Sequence, residues 1–458
     1  MSWIQVSPIR WERPSTGVER YLYFTGNGAM TVYGRRQYTL VSTLKVELNL
    51  PHPQATLRQA WLQLRHQEPD LAATLEEGGE KKVYETPDQR ELGQWLQRTF
   101  VVLSSNNAEE VLNAGPDGYA HGYAMDQEQA TLYYLPKSSE LILHAHHWLI
   151  DGIGMLIFWD KFLTALTSPR TDLVFGTEYT RLNPTVHEAL GHTSLSQSNI
   201  EQATELLSEY IINLPALGPV SNAGKVASGV CRSFEHRWSV SSTSAIIRAC
   251  KKRGISVTAA VHAAYILVLK KYADPESTQS RYTNVPVFNL RPFCLPPFNT
   301  VAMGCYYTTM PLTVGLSAST SFAKLAETLS QYYSTCIKCN PERLESNAAF
   351  ANLMAQLACS PEYLSAPVPS DAFFSSLGIV ESHLKRVYGG TPRGAATVRV
   401  EDYRLWVDIV VGMNMAHVYT FGDQLRVAYH FNEGYEEGEM IKRYLEEMEG
   451  VLERELIR

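Results

Sequence analysis

The stretch Leu141-Ile-Leu-His-Ala-His-His-Trp-Leu-Ile-Asp-Gly-Ile-Gly154 determines how the whole chain is interpreted. It opens on residues that are apolar apart from one histidine, as in a buried strand, whereas Gly152 and Gly154 suit a turn. Apolar residues at helical spacing follow over residues 155–166. The pattern therefore predicts a strand, a turn and a helix, with the reactive side chains in the turn.

Two adjacent histidines, His146 and His147, leave the end of this strand. An imidazole has an unperturbed pKa near neutrality, so one that is held in place suits a general base. Neighbouring strand residues point to opposite faces, and we therefore assign the base to His147 and expect His146 to pack. Asp151 either fixes the turn through an arginine or orients an imidazole. A single histidine on an apolar strand is more often a satisfied core residue, so the surrounding sequence must decide.

The residues from His146 to Gly152 match HHxxxDG, the signature of the condensation-domain superfamily, at every fixed position. This superfamily includes chloramphenicol acetyltransferase-like enzymes and the related plant and fungal acyltransferases. The resemblance implies an α/β protein of two chloramphenicol acetyltransferase-like lobes, each a mixed sheet flanked by helices. It also implies an active site at the lobe interface, which donor and acceptor enter from opposite faces of a shared tunnel.

Length and composition agree with two lobes. The chain has 458 residues, of which 45% are hydrophobic, and this is enough to form two substantial cores. Residues 167–228 contain several prolines and one convincing helix, at 200–212, and so indicate a linker. We predict an N-terminal acyltransferase lobe of residues 1–180, which carries the histidine motif, and a C-terminal acyltransferase lobe of residues 181–458.

Charge and cysteine content exclude several classes. The net charge of −7 argues against a nucleic-acid binder. The first residues lack the apolar core of a signal peptide, and no apolar run reaches membrane-spanning length, so we expect a cytoplasmic monomer without a membrane partner. The chain has 7 cysteines, an odd number, and Cys336 and Cys339 form a CxxC pair with no partner pair. We therefore expect buried thiols, with neither a disulfide framework nor a metal site.

A second informative stretch is Asn289-Leu290-Arg291-Pro292, where a short apolar strand delivers an arginine just before a proline. It resembles a strand motif of the same superfamily whose arginine pairs with the aspartate of the histidine motif. The resemblance therefore implies that Arg291 pairs with Asp151 and fixes the turn that carries His147. The following Gly304-Cys305-Tyr306 resembles a Gly-Asn strand start, with cysteine in place of asparagine.

The segment from Asp371 to Gly378 predicts a strand that enters a turn. Its Ser-Ser-Leu-Gly sequence resembles fungal acyltransferases of the trichothecene 15-O-acetyltransferase type. Ser375 and Ser376 are candidate donors to the oxyanion, with Ser376 preferred, although a turn cap is the more common use of serine. The Asp-Phe-Gly-Trp-Gly motif of plant members does not occur in this sequence, which favours the fungal branch.

The resemblance implies acyl transfer, in which His147 takes a proton from an acceptor hydroxyl or amine as that group attacks a thioester carbonyl. Neither a metal nor a covalent acyl-enzyme is needed. A carrier domain is not recognisable in the sequence, which favours acyl-CoA, above all acetyl-CoA, and a secondary-metabolite acceptor. Lys251, Lys252 and Arg253 are candidate contacts for its phosphates, although a charge run at a helix end is usually solvated.

Two alternatives stay open. One is a condensation enzyme acting in trans on a thioester that is bound to a carrier protein. The other is a metabolite-binding cyclase or isomerase on the same fold, which transfers no acyl group. His147 and Asp151 are both intact, which counts against a scaffold without activity.

Local rules predict two further helices. One runs from Pro87 to Phe100, with Thr86 as its cap. The other runs from Val257 to Tyr272 and is strongly apolar. His262 lies in the middle of this second helix among small packing residues, so we expect it to be structural rather than catalytic.

Overall fold

The computed structural model describes residues 3–76, 78–114, 129–191, 195–273, 279–336, 342–358, 360, 373–390 and 396–458. Mixed sheets flanked by helices confirm the predicted α/β class. The predicted strand positions Asp371 and Ala372, and Cys339 of the CxxC pair, lie outside the described residues.

The strands are β1 (Ile4–Gln5), β2 (Arg10–Pro14), β3 (Leu40–Asn49), β4 (Thr74–Leu75), β5 (Lys81–Glu85), β6 (Phe100–Val102), β7 (Thr131–Leu135), β8 (Glu140–Ala145), β9 (Cys231–Arg237), β10 (Arg281–Asn284), β11 (Val287–Asn289), β12 (Tyr307–Thr309), β13 (Leu312–Gly315), β14 (Phe373–Ile379), β15 (Val387–Gly389), β16 (Thr397–Val407), β17 (Met415–Phe421) and β18 (Gln424–Asn432). The α-helices are α1 (Gly17–Tyr33), α2 (Pro53–Gln67), α3 (Gln89–Thr99), α4 (Ala108–Asn113), α5 (Gly152–Thr167), α6 (Val186–Ala189), α7 (Gln197–Ile212), α8 (Val240–Arg253), α9 (Val257–Tyr272), α10 (Phe298–Val301), α11 (Phe322–Thr335), α12 (Glu342–Ala358) and α13 (Gly438–Leu452).

The chain forms two compact units, and both are discontinuous in sequence. The first unit contains Met1–Thr193, Asn289–Tyr307 and Glu381–Val407, and the second contains Ser194–Phe288, Thr308–Val380 and Asp408–Arg458. The predicted lobes, with their division near residue 180, were continuous. The difference has a physical reason, because β16 pairs antiparallel with β3 along its whole length and so joins the N-terminal unit. A periodicity pattern shows that a strand exists but not which distant strand it pairs with.

In the first unit, a six-stranded sheet has the order β15-β16-β3-β8-β7-β6. Its neighbours are antiparallel except for the parallel pair β6 and β7. Strand β8 lies in the middle of this sheet, and Leu141 and Leu143 on it are fully buried. Helix α5 packs on the sheet, where Trp159 Nε1 donates a hydrogen bond of 2.8 Å to Ser42 Oγ. Burial of each such leucine contributes about 1.5–3 kcal/mol, so the end of β8 is held firmly.

In the second unit, a four-stranded sheet has the order β14-β17-β18-β9, in which β14 and β17 are parallel and the other pairs antiparallel. Side chains of β17 and β18 pack with those of α8, α9, α11 and α13 in one apolar core. Helices α7 and α12 pack against each other within the same unit. The small residues of α9, such as Ala260 and Ala264, are fully buried, which allows this close packing.

The predicted ends agree with the structure for one of the two predicted helices and differ for the other. Helix α3 begins at Gln89 rather than at Pro87, and its cap is Asp88 rather than Thr86. The Asp88 side chain accepts from Glu91 N, and the Glu91 side chain accepts from Asp88 N, both at 2.8 Å. This reciprocal box satisfies two end groups at once, which Thr86 cannot do. Helix α9 has the predicted ends.

Among the described residues, no single helix is long and apolar enough to cross a membrane. Helices α8 and α9 pass the same length and composition test only as a pair, bent by 101°. Residues of both helices lie in the apolar core of the second unit.

Candidate active site

The histidine motif forms the turn between β8 and α5. Strand β8 ends at Ala145, and α5 begins at Gly152 with Asp151 as its N-cap. Asp151 Oδ1 accepts a hydrogen bond of 2.6 Å from Gly154 N, and Leu149 N donates to His146 O at 3.0 Å. A capping carboxylate is favourable here because the first N–H groups of a helix have no partner within it. The turn is therefore held by a backbone hydrogen bond near its start and by the Asp151 side chain at its helical end.

Asp151 and Arg291 form a buried ion pair in the first unit, and they are 4% and 2% exposed. Arg291 Nη1 donates to Asp151 Oδ2 at 3.0 Å, and Arg291 Nη2 lies 3.0 Å from Asp151 Oδ1. Asp151 Oδ2 also accepts from Tyr306 N at 2.8 Å. Both carboxylate oxygens are thus engaged by fixed donors, and the side chain holds the turn.

The remaining donors of Arg291 are also satisfied. Its Nε donates to Ala302 O at 2.7 Å, its Nη2 to Gly304 O at 2.9 Å and its Nη1 to Asn289 Oδ1 at 3.3 Å. A guanidinium group has five N–H donors, and that of Arg291 makes four hydrogen bonds and one further ion-pair contact with Asp151 Oδ1. Such complete pairing is what makes a buried charge tolerable.

Gly154 permits the close approach of the segment that carries these acceptors. A Cβ atom built on Gly154 would lie 2.0 Å from Met303 O, well inside van der Waals contact. The obstacle is backbone rather than a flexible side chain, so no rotamer change relieves it. Gly154 is therefore required by space, whereas Gly152 is the first residue of α5.

His147 is partly exposed in the turn, and its ring centroid lies 5.7 Å from that of Tyr307. Its Nδ1 is buried and has no hydrogen-bond partner among the described residues. Burial lowers the pKa of His147 below its usual value, and the nearby backbone and the Asp151 carboxylate oppose this shift. The imidazole is therefore neutral at pH 7 and able to accept a proton. His146 is buried and stacks on Trp148 at 5.8 Å.

Two residues near this turn were not proposed from the sequence. The thiol of Cys305 donates to His147 O at 2.8 Å, although the two residues are 158 positions apart. Burial lowers the pKa of His383, and Arg291 lowers it further while Asp151 opposes the shift. The only sequence signal for Cys305 was its place after Gly304 in a strand start, and His383 gave none.

The other predicted site residues lie in the second unit. Ser376 Oγ is 3.1 Å from Thr258 Oγ1 at the start of α9, and it accepts from Gly378 N at 3.3 Å. This is a turn-capping contact at a bulge in β14. Lys251, Lys252 and Arg253 form the exposed last turn of α8, where their charge suits the helix dipole.

In the described part of the chain, no group of three or more His, Cys, Asp or Glu residues could hold a metal ion.

No protein-family model matches the chain. The chain is 29% identical to the O-acetyltransferase pigM of Monascus ruber, over 100% of this chain and 87% of that protein. It is 27% identical to the acetyltransferase pigO of the same fungus, over 95% of this chain and 94% of that protein.

Solved structures show the same fold. The trichothecene 15-O-acetyltransferase of Fusarium sporotrichioides matches with a TM-score of 0.84 and 16% identity, over 98% of this chain and 97% of that one. The first condensation domain of the CDA synthetase matches with a TM-score of 0.64 and 14% identity, over 96% of each chain. The chain therefore has the fold of the condensation-domain superfamily, which its sequence predicted. It is an acyltransferase, similar to the acetyltransferases of fungal secondary metabolism.

Proposed function

We propose that the protein transfers an acyl group, preferably acetyl, from a CoA thioester to a hydroxyl or amine of a secondary metabolite, with His147 as general base. The observation that carries this proposal is the state of His147. Its turn is held by the Asp151–Arg291 ion pair, its pKa is lowered by burial, and the residue is still partly exposed. An imidazole in this state is positioned, neutral and available for proton transfer.

In the proposed reaction, His147 accepts the proton of the acceptor hydroxyl as its oxygen attacks the thioester carbonyl. A tetrahedral oxyanion forms, for which Ser376 is our candidate hydrogen-bond donor. The intermediate collapses with cleavage of the carbon–sulfur bond, and the CoA thiolate takes the proton back from the imidazolium. Asp151 takes no proton in this scheme, because both of its oxygens are engaged. Lys251, Lys252 and Arg253 are proposed to contact the CoA phosphates.

The base is tested by His147→Ala, assayed with acetyl-CoA and two alcohols suggested by the relatives, a trichothecene and an azaphilone. The azaphilone is included because the chain is also 25% identical to the azaphilone biosynthesis cluster protein M of Aspergillus terreus, over 70% of this chain and 78% of that protein. We expect turnover to fall about 100- to 10,000-fold, the usual worth of a positioned general base. The matched control is His146→Ala, which removes a buried ring and acts on stability rather than on turnover per folded molecule. Mass spectrometry measures the product and thermal unfolding the folded fraction, and normal turnover by a folded His147→Ala protein would contradict the assignment.

The donor is tested by adding acetyl-CoA, or an acetylated carrier protein, and measuring both the melting temperature and turnover. Free acetyl-CoA is expected to raise the melting temperature, because a ligand that binds only the native state stabilises it. Lys251→Ala and Lys252→Ala should raise KM for acetyl-CoA and leave kcat unchanged. Turnover of the carrier-bound thioester alone would identify a condensation enzyme acting in trans. Rearrangement of the metabolite without acylation would identify a cyclase or isomerase.

A further inference from the structure

The four consecutive residues 304–307, which we call the clamp segment, contact His147 and Asp151 of the histidine turn and also Arg291. Gly304 O accepts from Arg291 Nη2 at 2.9 Å, and Tyr306 N donates to Asp151 Oδ2 at 2.8 Å. The Tyr307 ring lies beside the His147 ring. Between these contacts, the Cys305 thiol donates to the carbonyl oxygen of His147 itself at 2.8 Å. Cys305 is the member of the clamp segment whose side chain bonds to the backbone of His147.

The hydrogen bond from the Cys305 thiol is protected by burial. The side chain is buried, and burial raises the pKa of the thiol well above its usual value, with Asp151 and Glu19 adding to the shift. The group therefore stays an S–H donor at neutral pH. It cannot turn to water, and its carbonyl acceptor belongs to a turn whose other end is fixed by Asp151.

The position of the His147 backbone sets the position of its ring. Gly154 and Asp151 fix the helical end of the turn, but they lie seven and four residues beyond His147. The Cys305 hydrogen bond acts on the peptide group of His147 directly. Loss of this bond would free one peptide unit and leave the ion pair in place, and shifts of about 1 Å in a reacting group can lower rates about 100-fold.

We propose that Cys305 is a positioning residue for acyl transfer, which holds the backbone of His147 so that its imidazole meets the acceptor hydroxyl in the reactive geometry. This inference rests on the proposed function. Cys305 acts through His147 and not on the substrate. Its contribution should therefore be seen in kcat and in the pH dependence of turnover, and not in KM for either substrate.

The test compares Cys305→Ala and Cys305→Ser with the matched variant Cys294→Ala. Cys294 lies in the same unit, is 6% exposed as Cys305 is, and also donates a thiol hydrogen bond to a backbone carbonyl, Leu290 O at 3.4 Å. Both alanine variants lose a buried thiol and its hydrogen bond, so they should lose similar stability. Only the Cys305 carbonyl partner belongs to the proposed base.

We expect Cys305→Ala to lower kcat about 10-fold, with both KM values unchanged, and to move the acidic limb of the pH profile. Cys305→Ser keeps a donor at the same place and should retain kcat within about threefold, whereas Cys294→Ala should keep both kcat and the pH profile. Equal effects of Cys305→Ala and Cys294→Ala on kcat, per folded molecule, would overturn the inference, as would failure of serine to restore kcat while the fold is intact. Absence of acyl transfer by the wild-type protein with every donor and acceptor would instead overturn the proposed function, and this inference with it.

Discussion

Two buried carboxyl groups in this protein, those of Asp151 and Glu436, have opposite kinds of surroundings. In the first unit, Asp151 is paired with Arg291 and accepts hydrogen bonds from two backbone N–H groups. In the second unit, Glu436 is 6% exposed and its carboxyl group accepts a hydrogen bond from Asn414 Nδ2 at 2.6 Å, while its Oε2 has no partner among the described residues. Burial raises the pKa of Glu436 to about 8, so at neutral pH a bound proton removes the charge of this group, whereas Asp151 has an arginine beside it. A carboxyl group whose pKa is raised by burial makes the free energy of unfolding depend on pH between its unfolded and folded pKa values.

The largest effect should come from breaking the paired carboxylate. Asp151→Asn and Arg291→Ala are each expected to cost about 3–5 kcal/mol of unfolding free energy, because each leaves an uncompensated buried charge or donor. The double variant should lose clearly less than the sum of the two single losses, since the pair is worth more as a pair than as separate groups. Urea unfolding of the four proteins measures this coupling. Strictly additive losses would show that the two side chains do not stabilise each other.

A steric change beside the same pair should have the next largest effect. Gly154→Ala places a methyl group against Met303 O and should cost about 1–3 kcal/mol, with loss of activity as the clamp segment moves away. Gly93→Ala is the control, because Gly93 lies in α3 with nothing within 4 Å of an added Cβ. Alanine there should raise stability by about 0.5–1 kcal/mol. If Gly154→Ala behaves like Gly93→Ala in thermal unfolding, the close approach of residue 303 is not a constraint.

The carboxyl group of Glu436 gives an effect that depends on pH and is smaller for each pH unit than the cost of Gly154→Ala. The folded pKa of Glu436, about 8, lies above its unfolded value, so its contribution is fully present below about pH 4.5 and is lost as pH rises to 8. Its neighbours Tyr265, Tyr429 and Tyr444 have raised pKa values and stay protonated over this range. Glu436→Gln should remove a decline of at most about 1.4 kcal/mol per pH unit. Urea unfolding at pH 5, 6, 7 and 8 tests this, and parallel curves for the two proteins would show that Glu436 does not titrate.

The smallest effect concerns the pH dependence of activity. Burial lowers the pKa of His147, so the acidic limb of kcat/KM should fall below pH 6.5. Asp151 opposes this shift, and the folded fraction of the Asp151→Asn protein should therefore show a limb at still lower pH. The measurement is kcat/KM for acetyl-CoA transfer between pH 4.5 and 8. A limb above pH 7 would mean that another group limits the reaction.

Local sequence rules predicted the parts of the site that depend on local physics. The strand, the turn and the helix around Asp151 follow from apolar spacing and two glycines, and the structure has them in that order. Arg291 was linked to Asp151 through resemblance to a motif, and the two side chains are in contact. The predicted cap of α3 was wrong. Proline at a first helical position favours Thr86 as the cap, but the spacing of Asp88 and Glu91 matches a capping box and is the stronger signal.

Contacts between residues far apart in the sequence could not be predicted from local sequence rules. The Cys305 hydrogen bond joins residues 158 positions apart, and nothing in the neighbourhood of either residue encodes it. The same holds for β16, whose pairing with β3 moves a late segment into the first unit. Periodicity encodes which face of a strand is apolar, whereas partner choice depends on how all the surfaces fit together.

The buried cysteines also allow local opening of each unit to be measured. Cys294 and Cys305 lie in the first unit and Cys231, Cys250 and Cys336 in the second, and all five are buried. A thiol reagent can modify such a side chain only while the surrounding structure is open, so the rate of modification counts opening events. If alkylation of each cysteine-containing peptide is followed by mass spectrometry, it would show which unit opens first, and no additional cysteine has to be introduced.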